Sequence, residues 1–176
     1  EKDYGTKFAQ STNGKIEFNN VSFSYDETNK EKIINDVSFT IEKGQSIAIV
    51  GHSGSGKSSL VNLLPRFYNY QFGKILLDGI LIQDYTIENL RKKISLVSQD
   101  VVLFNDSIMN NLAYGELSGR SSSELLSAAE SARITEFADD FPNGMDTMIG
   151  DKGVLLSGGQ RQRIAIGRAI LKDAPI

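Results

Sequence analysis

The 176 residues contain no cysteine and no tryptophan, only three prolines and a single histidine. Without cysteine there can be no disulfide and no thiolate metal site, and the composition suits a reducing compartment. Excess positive charge is missing too: the formal net charge is −3, so nucleic acid is not expected as the main ligand. No apolar run approaches the roughly 18 residues needed to cross a bilayer, and the N-terminal EKDYGTKFAQ lacks the apolar stretch of a signal peptide. A soluble polypeptide that is not exported is expected. What is present, 40% hydrophobic residues and 16 glycines, suffices for one ordinary core or two small lobes sharing one.

Residues 51–58 read GHSGSGKS, a complete GxxxxGK[ST] phosphate loop of the Walker A type. A chance match is expected in roughly one chain of this length in a hundred and fifty. The apolar run Ser46 to Val50 predicts a buried strand feeding the loop, and a helix is predicted from about Lys57 to Leu64. Gly51, Gly54 and Gly56 allow backbone N–H groups to close on phosphate oxygens where a Cβ would intrude, with Ser53 and Ser55 completing the loop. The helix N-terminus adds partial positive charge. Lys57 supplies a full charge for the β- and γ-phosphates of a nucleotide, Ser58 a hydroxyl for Mg²⁺, and Ser59 a hydroxyl for the α-phosphate.

The rest of the chain divides by periodicity. Residues 1–13 are polar and read as a linker to something upstream. IEF, VSFSY and VSFTIE, from Ile16 onward, have the period-two pattern of half-buried antiparallel strands, with a polar Thr/Asn/Lys/Glu turn before the last of them. KILLDGILI places Asp78 and Gly79 as a hairpin turn. Thr86 predicts a helix N-cap, and Ile94 to Ser98 another apolar strand. Residues 14–98 are thus expected as a β-lobe and phosphate-loop core. Beyond Gln99 the period becomes helical: SSSE at 121–124 has capping-box form, Leu125, Ala128, Ala129 and Ala132 share one face, and Ile134, Phe137, Ala138 and Phe141 continue the stripe to the breaker Pro142-Asn143-Gly144. Residues 99–156 form a helical lobe on this reading. A last helix, from Ser157 to about Lys172 within 157–176, should turn Ile164, Ala165, Ala169 and Ile170 inward, with Gly167 explained by close packing.

That last helix opens on LSGGQ at Leu156 to Gln160. Ser157, Gly158 and Gly159 offer a hydroxyl, unobstructed amides and a dipole end, a second anion site in a domain with one triphosphate to hold. The two glycine motifs, about a hundred residues apart, together resemble an ATP-binding cassette (ABC) domain from about Gly14 to Ile176. The resemblance implies an α/β P-loop ATPase core with an antiparallel β-lobe and an α-helical lobe, incomplete at the C-terminus. It also implies that Ser157, Gly158, Gly159 and Gln160 bind the γ-phosphate of an ATP held by the opposite subunit, in a head-to-tail homodimer sandwiching two nucleotides.

On the same resemblance, Tyr25 in FSY is the aromatic that stacks on adenine, although the residue pattern alone equally allows a cross-strand packing role. Gln99 in VSQDVVLF matches the glutamine that reaches Mg²⁺ or the attacking water and signals to a membrane domain. TMIGDKG, 147–153, resembles the exporter X-loop with Asp151 in place of the usual Glu. The runs LPRFYNYQFGKILLDG and LVSQDVVLFNDSIMNNLAYG are similar to exporters of lipid A-type lipids. The implied setting is the cytoplasmic face of a bacterial inner membrane, with a fused transmembrane domain upstream that alone binds lipid. The family's Walker B strand and general base would follow LKDAPI, so these 176 residues alone are expected to bind nucleotide without turning it over, and with low stability. His52 lies inside the phosphate loop and does not correspond to the family's switch histidine. Glu124 and Glu130 read as solvated surface acids.

Overall fold

A computed structural model describes residues 3–26 and 32–176, in two compact units: residues up to Ile94 with Pro175–Ile176, and Ser95–Ala174. The polar turn expected between the first two strands falls mainly on 27–31, outside the described residues.

The first unit is built on a four-stranded antiparallel sheet in the order β2-β1-β3-β4, where β1 is Ile16–Phe23, β2 Ile34–Ile41, β3 Phe72–Leu77 and β4 Ile80–Leu81. IEF and VSF, read as separate strands, are one strand interrupted by a register shift between Phe18 and Val21, where Asn20 takes a left-handed φ of 49°. Asp78 and Gly79 make the β3–β4 turn with φ 51° and 76°, the mirror-image turn that matches strand twist. The Asp78 carboxylate also accepts from the N–H groups of Asn13 and Lys15 at 2.8 and 3.0 Å, fixing the entry to β1. Val21, Phe23, Leu63, Ile75, Leu77, Ile82, Tyr85 and Leu90 fill the core. Two short helices pack here, α1 (Lys57–Leu63) and α2 (Ile87–Lys92), the latter capped by the Thr86 hydroxyl accepting from Asn89 N–H at 3.3 Å.

The second unit is helical. It contains α3 (Ile108–Leu112), α4 (Ser122–Ser131), α5 (Thr135–Ala138) and α6 (Gly158–Lys172) around Leu103, Ile108, Leu112, Ala128, Ala129, Ile134, Phe137, Ile149, Ile164 and Leu171. Each Leu or Ile so buried contributes about 1.5–3 kcal/mol. Ser121 and Glu124 form the expected capping box. A Cβ on Gly167 would lie 2.8 Å from both Ile134 Cδ1 and Leu112 Cδ1, so α6 packs closely here and any larger residue would have to displace those two methyl groups.

Three expectations are corrected. Neither Ser46 to Val50 nor Ile94 to Ser98 is a strand. Their apolar runs satisfy the composition of a buried strand, but a strand exists only through its ladder, and neither has a ladder partner among the described residues. Ile47, Ile49, Val50, Leu96 and Val97 are consequently exposed. Ile170, expected inward, is 42% exposed, whereas Leu171, one position on, is buried. The 100° advance per residue puts Leu171, seven after Ile164, on the buried face.

Candidate functional site

In the first unit the phosphate loop runs exposed from Gly51 to Ser55 and turns into α1 at Gly56. Gly56 takes φ 85° as N-cap residue, and a Cβ there would sit 3.0 Å from the Ile33 carbonyl oxygen, so both conformation and space call for glycine. Gly54 has φ 81° with open space around its Cα. The first turn of any helix leaves its N–H groups without intrahelical acceptors. In α1 those groups belong to the stretch that carries Lys57, Ser58 and Ser59.

Lys57 Nζ donates to the carbonyl oxygens of Gly51 at 2.9 Å and His52 at 2.8 Å, so the loop's cation is held over the loop itself. The His52 carbonyl also accepts from Ser55 N–H. His52 is exposed and joins the loop's hydrogen bonds through its backbone carbonyl. Ser58 is exposed and Ser59 buried at 7%. Oxygen-bearing hydroxyls in an electropositive first turn suit both phosphate and a hard cation such as Mg²⁺. Among the described residues no cluster of three or more His, Cys, Asp or Glu could hold a metal by itself. A Mg²⁺ ion here would therefore depend on phosphate oxygens.

Tyr25 lies just past the end of β1 and has no ladder partner among the described residues. It is 55% exposed, meets Phe23 and Tyr68 edge-on, and its hydroxyl shares a 2.8 Å hydrogen bond with Ser59 Oγ. The residue expected to take the base and one expected to take a phosphate are thus directly joined. Tyr68 was not legible as a site residue, since the run that contains it, LPRFYNYQFGKILLDG, carries no role for it and its neighbourhood to Tyr25 arises only on folding.

In the second unit, Ser157 caps α6. Its hydroxyl accepts from Gln160 N–H at 3.2 Å, and Gln160 Oε1 accepts from Ser157 N–H at 2.7 Å. Gly158 and Gly159 are exposed; a Cβ on Gly159 would meet nothing within 4 Å, and one on Gly158 only Arg161 Nη2 at 4.0 Å. Nothing in the packing among the described residues calls for glycine at either position. Gln99 is exposed and shares a cleft of about 320 Å³ with Asp100, Lys152, Gly158, Arg161 and Gln162. Gln162 Nε2 donates to the Ser98 carbonyl at 3.2 Å. The glutamine loop, the 147–153 segment and the start of α6 therefore meet around one cleft, to which Arg161, unremarked in the sequence, brings a cation. The fold separates the site residues into two groups, Tyr25 with Gly51 to Ser59 in the first unit and Gln99 with Ser157 to Gln160 in the second.

Comparison with known proteins gives consistent matches. The model of the ABC transporter family matches residues 34–176. The ATP-dependent lipid A-core flippase of Pseudomonas aeruginosa is 54% identical over 176 residues, 100% of this chain and 29% of the flippase. That of Pseudoalteromonas translucida is 54% identical over 177 positions, 100% of this chain and 30% of its own. A solved structure of a bacterial Atm1-family ABC exporter with ATP bound superposes with a TM-score of 0.91 at 42% identity, over 98% of this chain and 30% of that one. The chain thus spans less than a third of the length of the relatives it matches. None of the helices among the described residues is long and apolar enough to cross a membrane.

Proposed function

The chain belongs to the ABC transporter family, and from that premise we propose that it is the ATP-binding domain of an exporter that uses ATP binding and hydrolysis to move a lipid of the lipid A type across a bacterial inner membrane. The observation that carries the ATPase reading is the pairing of a lysine-closed phosphate loop at the start of α1 with a serine-capped, glycine-opened start of α6. The relatives named lipid A-core flippases support the lipid. An exporter of a different hydrophobic substrate is the second reading, favoured by the likeness to the Atm1-family exporter.

On this reading Lys57 exchanges its two loop carbonyls for β- and γ-phosphate oxygens, and the amides of Gly51 to Ser59 cradle the remaining charge. Ser58 would hold Mg²⁺, which would supply charge neutralisation at the phosphates, and the Gln99 amide would serve the ion or the attacking water. Tyr25 stacks on adenine. Ser157, Gly158, Gly159 and Gln160 meet the nucleotide of a second copy, so that two ATP molecules are closed in a head-to-tail homodimer that reopens when the β–γ bond is cleaved. Residues 1–13 link to an upstream transmembrane domain on whose cytoplasmic side this domain sits, and the Gln99 loop and 147–153 contact it. The catalytic contribution of the residues present is positioning and charge neutralisation.

The test is reconstitution of the full-length polypeptide in vesicles containing lipid A. ATP-dependent appearance of lipid A in the far leaflet, lost with Lys57→Ala, is the expected result. ATPase activity indifferent to lipid A, with no translocation, would remove the lipid from the proposal and leave the ATPase.

A further inference from the structure

Three aromatic rings meet beside the phosphate loop. Phe23, 2% exposed at the end of β1, lies 5.0 Å from Tyr25 between ring centroids with the planes at 80°. Tyr68, in the turn that follows α1, lies 4.9 Å from Tyr25, also at 80°, and 5.7 Å from Phe23. Edge-to-face contacts of this kind are attractive and directional, because a ring's positive edge seeks its neighbour's negative face. Together with the 2.8 Å bond from the Tyr25 hydroxyl to Ser59, they restrain a ring that is 55% exposed and would otherwise sample several rotamers. Tyr68 is itself 42% exposed, so burial alone does not account for its place. Both restraints come from α1 and its flank: Ser59 in the first turn, Tyr68 five residues after Leu63.

We propose that Tyr68 is a positioning residue for the purine base: it sets the plane of Tyr25 before nucleotide arrives, so that stacking need not order the ring. The proposal rests on the reading of this loop as an ATP site. The same helix then organises both ends of the nucleotide, the phosphates at its first turn and the base through the aromatic that its far flank holds upright.

The test compares MgATP with magnesium tripolyphosphate, which carries the phosphates and no base, by titration calorimetry of the full-length polypeptide that contains these residues. Tyr68→Leu is expected to weaken ATP about 2- to 10-fold and leave tripolyphosphate unchanged, while Tyr68→Phe keeps both within about twofold of the unmutated chain. Tyr25→Leu combined with Tyr68→Leu should bind ATP no more weakly than Tyr25→Leu alone. Equal loss for both ligands, or no loss for ATP, overturns the proposal. Should Tyr68→Leu not fold, the unmutated chain with isotope-labelled tyrosine decides: the Tyr68 ring resonances should shift with ATP and stay in place with tripolyphosphate, and the same response to both ligands overturns it. An unmutated chain that binds neither ligand overturns the ATP reading and this proposal together, whereas ATP bound equally well by Tyr68→Leu overturns only the role of Tyr68.

Discussion

Lys57 Nζ donates to the carbonyl oxygen of His52 at 2.8 Å, closing the phosphate loop across its own mouth. A lysine bonded to two carbonyls, the second that of Gly51, is already aimed, and a phosphate oxygen at the same place would accept the same protons with full charge assistance. Lys57→Ala should therefore lower ATP affinity by roughly 3 kcal/mol or more, since hydrogen bonds to a charged group are worth about 1.5–3 kcal/mol each. Calorimetric titration giving an affinity within threefold of the unmutated chain would remove Lys57 from the site.

Ser157 and Gly158 separate two roles of one helix start. Ser157→Ala deletes the hydroxyl that accepts from Gln160 N–H and should cost about 1 kcal/mol of stability as a lost N-cap. Gly158→Asp is sterically free and puts negative charge where the α6 dipole favours it, so stability should hold or rise by about 0.3–1 kcal/mol. On the sandwich reading the same aspartate repels the phosphates of the other subunit. A chain long enough to dimerise should then melt normally, bind ATP as a monomer, and fail to associate when MgATP is added in sedimentation velocity. Association at the unmutated level would exclude the start of α6 from the dimer interface.

The site was legible where chemistry requires fixed spacing and illegible where it requires a neighbour. The phosphate loop, the Ser157 start of α6, the Asp78-Gly79 turn and the α4 capping box each consist of residues within a few positions of one another, so local sequence dictates them. Gly167 was readable as a packing glycine because helix interiors penalise it otherwise. The segments 46–50 and 94–98 were misread because an apolar run states only that burial is wanted, not what supplies it. Tyr68 and Arg161 were missed for a related reason: their partners, Tyr25 and the cleft at Gln99, lie tens of residues away along the chain.

Residues 3–9, read as linker, are held against 84–89 by a specific set of bonds. Thr6 and Lys7 N–H donate to the Asp84 carbonyl at 2.9 and 2.8 Å, Thr86 N–H returns to the Lys7 carbonyl at 3.1 Å, and Asn89 pairs with both backbone groups of Ala9. The Asp3 carboxylate accepts from Ile87 N–H at 2.8 Å and faces the buried Arg66 at 3.6 Å. A Cβ on Gly5 would lie 1.8 Å from the Tyr85 carbonyl oxygen, which is backbone and cannot step aside. Gly5→Ala should detach this strap locally, at a cost on the order of 2 kcal/mol. Hydrogen exchange should accelerate at Thr6, Lys7, Thr86 and Ile87 while the β1 amides stay protected; unchanged exchange at those four amides would contradict the tight approach.

Glu124 gives a pH-dependent prediction whose sign the geometry fixes. Its carboxyl accepts from the Ser121 hydroxyl at 2.7 Å and from Ser121 N–H at 2.9 Å, and pairs with Arg120 at 2.8 Å. These bonds, the Ser121 hydroxyl first among them, pull its pKa from 4.5 down to about 2. A carboxylate whose folded-state pKa is depressed stabilises the fold above its unfolded value. That stability is present above about pH 4.5 and drains away as pH falls toward about 2. Glutamine can still complete a capping box but cannot ionise, so Glu124→Gln should remove this residue's share of the dependence, leaving that of Asp3, Glu88 and Asp106, while keeping α4 capped. Carbon-detected NMR titration should find the Glu124 midpoint near 2, well below that of an ordinary glutamate. Ser121→Ala should raise it further than Arg120→Ala does, because the hydroxyl is the larger cause. A midpoint near 4.5 in the unmutated chain would mean that neither the helix cap nor the ion pair holds this carboxylate ionised, and an Arg120→Ala shift exceeding that of Ser121→Ala would mean that the exposed ion pair governs it rather than the cap.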